Sequence, residues 1–268
     1  MDPTALQTLS APELVLTLAD SVPEPRLAAA QVVAAAQLLG IDAGAVRVAL
    51  ARLVKQGVLE QAERGVYRLG RRGSELHRRV LAWDRVEDQV RRWDGRWLAV
   101  LTAQLGRSDK AGLRARERAL RLKGFAEAQP GLFVRPNNLR AALPALRDEL
   151  VGLGLDREAL VVVIDQADPT RPFEPERLWD TAALERRYAD DRRRLEESTA
   201  RVAELDVQSA ARETLLVGRA VMHDILIDPL LPETLVDVAA RRRLIAAMRA
   251  YDRLGKRCWR AFYRALPP

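Results

Sequence analysis

Between residues 42 and 70, apolar residues recur first at helical spacing and then in two short runs. The apolar positions of the first part follow the pattern i, i+3, i+4, i+7 and i+8, which is one face of an α-helix. They are Val46, Ala49, Leu50, Leu53 and Val54. Asp42 is suited to cap the start of this helix, and Gly57 is suited to end it.

A β-hairpin is predicted directly after this helix. Its strands are Val58-Leu59 and Val66–Leu69, and the turn Glu63-Arg64-Gly65 between them offers a glycine for a positive φ.

Two further helices are predicted before this stretch. Ser10 is a candidate cap with Pro12 in the first turn, and a second helix runs from Arg26 to Leu39, after breaks at Pro23 and Pro25. Three helices followed by a hairpin, with a tight turn between the second and third helix, is the order of a winged helix-turn-helix.

The pattern changes after residue 70. Gly70–Trp93 is rich in arginine, and its apolar positions near helical spacing predict a linker helix. Beyond it, the order βαβαβ indicates an α/β sandwich built on one sheet. The predicted strands and helices are Arg96–Thr102, Ser108–Lys123, Leu132–Val134, Leu139–Leu150 and Leu160–Ile164.

The C-terminal part is predicted to be helical. Pro169, Pro172 and Pro175 mark a linker, and the helices Leu178–Val202, Ser209–Ile227 and Val236–Leu266 follow. We therefore expect an α+β, multidomain chain. Its parts are a winged-helix DNA-binding domain at 1–70, a linker helix at 71–92, the α/β sandwich at 93–168 and a helical C-terminal domain at 175–268.

The net charge of +7 is concentrated at the C-terminus. From Arg241 onward, nine basic residues stand against one acid, Asp252, so the rest of the chain is close to neutral. A case for binding a polyanion therefore rests on where the cations lie. The C-terminal cations fit contacts with DNA, with effector phosphates or with a partner subunit's acids, and they also fit a solvated helix face.

The helix predicted between Asp42 and Gly57 has a second face, opposite its apolar stripe. This face carries small residues and three cations but no acid. Such a face can approach a polyanion closely, as a helix in the major groove must. A solvated amphipathic helix is the alternative. Arg47 is the candidate for a base contact, whereas Arg52 and Lys55 are suited to phosphates. The candidate DNA-binding residues are Arg47, Arg52, Lys55, Arg64, Arg68, Arg71 and Arg72.

No catalytic or metal-binding pattern is evident. The single cysteine, Cys258, fits a reducing compartment, and two distant histidines, His77 and His223, do not make a zinc site. His223 lies in an apolar helix, which favours a hydrogen-bonded core histidine. Neither a phosphate-binding glycine loop nor a nucleophile elbow occurs. We expect no cofactor, no metal and no enzymatic activity.

Neither a signal peptide nor an apolar run of bilayer length is found, which predicts a cytoplasmic protein without membrane contact.

Several motifs resemble the PaaX family of phenylacetic acid degradation repressors. Ala45–Gly57 is similar to the family's recognition helix, and Trp93-Asp94-Gly95-Arg96-Trp97 and Pro130–Pro136 resemble the opening and centre of its middle domain. Leu178-Trp179-Asp180 and Asp228-Pro229-Leu230-Leu231-Pro232 resemble later motifs. These similarities run in order along most of the chain.

The resemblance implies an N-terminal winged helix, a ferredoxin-like middle domain similar to the CRISPR-associated Cas2 nuclease, and a helical C-terminal domain. It also implies a homodimeric transcriptional repressor that binds double-stranded DNA at a palindromic operator. An aryl- or acyl-CoA thioester such as phenylacetyl-CoA would release it. The candidate effector-binding residues are Trp179, Tyr188, His223 and Arg257.

Two other functions stay open at the level of sequence. A Cas2-like nuclease needs an acidic residue after its first strand to hold a divalent metal, and Leu101-Thr102-Ala103-Gln104 offers no carboxylate there. A winged helix used for protein contacts would instead make the chain an adaptor.

Overall fold

The computed structural model describes residues 9–21, 26–74, 82–106, 108–168, 170 and 173–266. The chain divides into two compact units. The first unit comprises residues 1–84, 193–222 and 247–268, and the second unit comprises residues 85–192 and 223–246. The domain boundaries expected from the sequence stay a prediction.

The N-terminal part of the first unit contains three helices and a small antiparallel sheet. Its elements are α1 (Ala11–Ser21), β1 (Leu27–Ala28), α2 (Ala29–Leu38), α3 (Ala43–Lys55), β2 (Leu59–Glu63) and β3 (Val66–Leu69). The strand order is β1-β3-β2. The second helix begins at Ala29 and not at Arg26, because Leu27 and Ala28 pair with Tyr67 and Val66 of β3. Pro23 and Pro25 lie outside the described residues.

Segments from both ends of the sequence form the core of the first unit. Fully buried side chains of α1, α2 and α3, such as Leu14, Val32 and Val46, belong to one apolar cluster. Buried residues from two C-terminal helices join the same cluster: Ala211, Leu215, Trp259 and Phe262. Long-range packing therefore supports the N-terminal helices.

The second unit is built on a four-stranded antiparallel sheet. Its elements are β4 (Trp97–Leu101), α4 (Lys110–Leu122), β5 (Ala126–Gln129), β6 (Leu132–Pro136), α5 (Leu143–Leu153) and β7 (Leu160–Ile164). The strand order is β5-β6-β4-β7. The order βαβαβ expected from the sequence is wrong by one strand, because β5 pairs with β6 and gives βαββαβ.

Strand β4 contributes to the core on both faces of this sheet. Leu98 and Val100 pack in one cluster with residues of α4 and α5, whereas Trp97 and Ala99 belong to a second cluster with Trp179. Alternation with a period of two places successive side chains on opposite faces.

The C-terminal part consists of α6 (Pro175–Leu178), α7 (Thr181–Val202), α8 (Val207–Leu226) and α9 (Val238–Arg264). The three long helices begin and end within a few residues of their expected bounds. Pro169 and Pro172 of the expected linker lie outside the described residues. No helix among the described residues is long and apolar enough to cross a membrane.

The expected linker helix does not continue to Trp93. A 3₁₀ helix spans Ala82–Gln89 and is broken at Arg85, and Val90 then forms an antiparallel bridge with Leu139. This pairing occupies backbone groups that a helix would need, so α5 also begins later than Leu139. Residues 75–81, which include His77, lie outside the described part of the chain.

Candidate nucleic-acid interface

Helix α3 has the cap and the end that its sequence predicts. The backbone N–H of Ala45 donates a hydrogen bond to Asp42 Oδ1 at 2.9 Å, which satisfies one of the free donors of the first turn. Gly57, just beyond the helix, has a φ of 67°, a left-handed conformation that favours glycine.

The two faces of α3 differ as expected. Val46, Ala49, Leu50 and Leu53 are buried. The opposite face is exposed along its length and consists of Arg47, Val48, Ala51, Arg52 and Lys55. Helix α3 contains no acidic residue, and no ion pair in the described structure involves its three cations. Their charges are therefore available to a polyanion.

The hairpin adds one further unpaired cation, Arg64, and one paired cation, Arg68. Arg64 is exposed at the β2–β3 turn, next to Gly65 with a φ of 74°. Arg68 on β3 makes an ion pair with Glu60 of β2, with 2.9 Å between Nη2 and Oε2. Arg26, just before β1, makes an ion pair with Glu63 of β2, with 3.4 Å between Nη2 and Oε1. Of the hairpin residues, Arg64 is thus the stronger candidate for a phosphate contact.

Arg71 and Arg72 follow the hairpin in a helical turn, and both are exposed. Arg72 Nη1 donates a hydrogen bond to the backbone oxygen of Gln56 at 3.3 Å. This oxygen lies at the C-terminal end of α3, where carbonyl groups lack partners within the helix. Arg72 therefore fixes the end of α3.

An open cleft of about 980 Å³ lies in the second unit. Its lining includes the exposed arginines Arg114, Arg118 and Arg121 of α4, together with Arg187. Aromatic and aliphatic side chains also line it, among them Phe125, Phe133 and Trp179. Such a combination suits a ligand with an apolar body and an anionic group.

The structure does not bring the four candidate effector residues together. Trp179 lines the open cleft, whereas Tyr188 lines a small cavity of about 10 Å³. His223 is exposed near the end of α8, so the interpretation as a core histidine is wrong. Arg257 is exposed on α9 and belongs to the first unit.

Tyr188 belongs to a buried polar network in the second unit. Its hydroxyl donates a hydrogen bond to Asp228 Oδ2 at 2.7 Å, and Asp228 Oδ1 accepts the backbone N–H of Leu230 at 2.7 Å. Burial, reinforced by the charge of Asp228, raises the pKa of Tyr188 above its ordinary value. Leu230 has a φ of 52°, which is unusual for a residue with a side chain.

Arginines complete the network around the Asp228–Pro232 turn. Arg241 Nη1 donates to the backbone oxygen of Leu231 at 2.9 Å, and its Nε donates to Glu87 Oε1 at 2.6 Å. Arg135 is fully buried, which lowers its pKa to about 9, and it donates to Asn138 Oδ1 at 2.9 Å. These hydrogen bonds tie the turn to β6 and α9.

Residues 11–73 match the family model described as PaaX-like protein. We call this stretch, which is similar to that family, the PaaX-like domain. It contains α1, α2, α3 and the hairpin, and therefore every candidate DNA-binding residue. The PaaX family is a family of transcriptional repressors that bind DNA. The similarity therefore suggests that the PaaX-like domain belongs to a transcription regulator.

One solved structure resembles the chain well beyond the PaaX-like domain. It is uncharacterized protein Rv0674 from Mycobacterium tuberculosis, with a TM-score of 0.60 and 23% identity over 93% of this chain and 96% of that chain. At this identity the similarity is one of fold. No curated protein matches the chain.

The arginines of α4 were not among the candidate residues. Arg114, Arg118 and Arg121 recur at i, i+4 and i+7, which places them on one helix face. That spacing could have indicated a cationic helix face. It could not have indicated the cleft, because the apolar groups that line it come from distant parts of the second unit. No group of three or more His, Cys, Asp or Glu in the described ranges is placed to hold a metal ion.

Proposed function

We propose that the chain is a dimeric DNA-binding repressor in which α3 of the PaaX-like domain reads the major groove. The observation that carries this proposal is the exposed face of α3. It presents Arg47, Arg52 and Lys55 among small side chains, without an acid, on a helix whose other face is buried. Close approach of backbone and side chains to base edges requires such a face.

Each element around α3 has a role in this proposal. We take α1, α2, α3 and the β2–β3 hairpin as a winged helix, with Arg64 at the wing tip reaching the DNA backbone or the minor groove. Arg47, near the N-terminal end of α3, contacts a base edge, and Arg52 and Lys55 contact phosphates. Two copies would place their α3 helices about one helical turn apart, or a multiple of it, on a palindromic operator.

The second unit supplies the sensor in this proposal. The order βαββαβ supports a ferredoxin-like, Cas2-like domain. Its open cleft offers guanidinium groups for phosphates beside an apolar lining, which suits a CoA thioester such as phenylacetyl-CoA. The effector lowers operator occupancy by binding more tightly to a geometry of the dimer that does not fit the operator.

The role of α3 is tested by fluorescence anisotropy with a duplex from the region upstream of the chain's own gene. Arg47→Ala should weaken binding by about 1–3 kcal/mol if the guanidinium contacts a base. Lys55→Ala should reduce the slope of log affinity against log salt by about one.

Arg186→Ala is the matched control, because Arg186 is an exposed helical arginine of the second unit without an ion pair in the described structure. It should leave operator affinity unchanged. Equal affinities for the wild type, Arg47→Ala and Lys55→Ala would contradict the proposed role of α3.

A further inference from the structure

Four exposed arginines form one stripe along the C-terminal part of α9. They follow the spacing i, i+4, i+7 and i+11, which keeps them on one face of a helix. We call this set the arginine stripe, and it consists of Arg253, Arg257, Arg260 and Arg264. Trp259 and Phe262, on the other face of α9, are buried in the core of the first unit.

The charges of the arginine stripe are not compensated. No ion pair in the described structure involves any of its four members. Other cations of α9 do have acidic partners: Arg242 pairs with Glu87, Arg243 with Asp237, and Lys256 with Asp252 at 2.7 Å. The stripe is thus a continuous part of α9 whose positive charge is available to an external anion.

The PaaX-like domain by itself carries few available cations for a DNA-binding module. Arg68 and Arg26 are paired with Glu60 and Glu63, and Arg72 is bonded to the end of α3. A protein that binds DNA tightly typically neutralises about 6–10 phosphates, and the release of counterions supplies much of its affinity. Arg52, Lys55 and Arg64 would supply three phosphate contacts in each chain, or six in the proposed dimer, which is the lower end of that range.

We propose that the arginine stripe is a second DNA-binding surface, which contacts the phosphate backbone outside the region read by α3. The inference rests on the proposed function of α3. Eleven residues of helix rise about 16 Å, which matches about five phosphates of one strand at about 3.4 Å each. The contact is independent of sequence, because phosphates carry no base information.

The position of the stripe relative to α3 is set by packing. Val46 and Leu50 of α3 belong to the same buried cluster as Trp259 and Phe262 of α9. Side chains in such a core interlock, so the two elements move as one body. The stripe therefore keeps a fixed position relative to α3, and its four uncompensated charges complement the phosphates of DNA.

The test compares three triple variants of the full chain by anisotropy on a mixed-sequence duplex of about 40 base pairs, between about 50 and 200 mM salt. The stripe variant is R253Q/R257Q/R260Q. The charge-matched control is R92Q/R157Q/R186Q, which removes three exposed arginines of the second unit that make no ion pair in the described structure. The third variant is R47Q/R52Q/K55Q in α3.

The stripe variant should lower affinity at the lowest salt by about tenfold or more, and reduce the salt slope by about 0.9 for each phosphate that is no longer neutralised. The control variant should match the wild type. R253K/R257K/R260K keeps the charges and should restore the slope, which distinguishes the removal of charge from a misfolded helix. A stripe variant that matches the wild type or the control overturns the inference.

The same variants distinguish a failure of the proposed role of α3 from a failure of the inference about the stripe. If the α3 variant binds like the wild type while the stripe variant is weakened, the role of α3 is wrong and the stripe still binds DNA. Vesicles containing phosphatidylserine provide the last comparison. If the stripe variant loses vesicle binding but keeps its affinity for the duplex, the stripe serves a lipid surface and the inference is wrong.

Discussion

An arginine of this chain is available to a ligand only where its charge is not already paired with an acidic side chain. Arg47 on α3 is exposed and makes no ion pair in the described structure, so it is available for DNA. Arg116 on α4 is buried against Asp156, with its Nε 2.6 Å from Oδ2 and its Nη2 3.1 Å from Oδ1. Composition does not distinguish these two states, whereas the position of each side chain in the fold does.

The Arg116–Asp156 pair gives a pH-dependent prediction. Hydrogen bonds from Arg116 lower the pKa of Asp156, so the pair stabilises the fold above the ordinary carboxyl pKa, and this stabilisation disappears as pH falls through the lowered value. Asp156→Asn should lower the free energy of unfolding by about 1.5–3 kcal/mol at neutral pH. Urea unfolding at several pH values measures this difference.

The difference in the free energy of unfolding between the wild type and Asp156→Asn should stay constant from about pH 7 to 5 and become smaller below about pH 4. Asp148→Asn, at an exposed position of α5, is the control and should leave stability nearly unchanged. A difference as large near pH 3 as at neutral pH would show that the ionised carboxylate is not what stabilises this site.

Among the secondary-structure elements, those specified by local pattern were predicted well. The apolar stripe, the cap and the terminal glycine of α3 all lie within one stretch of sequence, and the structure confirms each of them. Strand β5 was missed because Ala-Glu-Ala-Gln lacks β-branched residues, and its conformation depends on pairing with β6. The two residues of β1 likewise depend on β3.

The residues of the candidate site could likewise be predicted where the local sequence specifies their positions, but not where distant contacts do. The cations of α3 could be predicted because they stand opposite its own apolar stripe. The pairing of Arg68 with Glu60 was not anticipated, and the linker helix was wrong because Val90 bridges to the distant Leu139. The exposure of His223 could not be deduced from the apolar composition of α8, since only packing decides which side of a helix is covered.

The cap of α3 gives a prediction at the scale of one element. Asp42→Ala removes the acceptor for the Ala45 N–H and should destabilise the PaaX-like domain by about 1 kcal/mol. Asp42→Asn keeps a side-chain oxygen and should be close to the wild type. Thermal unfolding of the three chains measures the difference, and equal destabilisation of both variants would argue against capping.

At the scale of the whole molecule, the proposed function couples the binding of an effector to the binding of DNA. In the proposed mechanism phenylacetyl-CoA binds the cleft of the second unit, and at about 100 times its dissociation constant it should stabilise the chain by about 2.7 kcal/mol. A thermal-shift titration measures this. Arg118→Gln, in the lining of the cleft, should move the titration to higher ligand concentration.

Free CoA and phenylacetate tested separately are the controls for that titration. Linkage requires that an effector which weakens operator binding is itself bound more weakly when operator DNA is present. If phenylacetyl-CoA produces no shift at any concentration, or shifts Arg118→Gln like the wild type, the cleft is not its site.

The central claim is that α3 reads DNA sequence, and selection from a randomised pool of duplexes tests it most directly. The wild type should enrich an inverted repeat whose half-sites are about one helical turn apart, or a multiple of it. Arg47→Ala should relax the preference at one position of each half-site and leave the others unchanged. A wild type that enriches no sequence, or an Arg47→Ala chain that enriches the same motif with undiminished preference at every position, would contradict it.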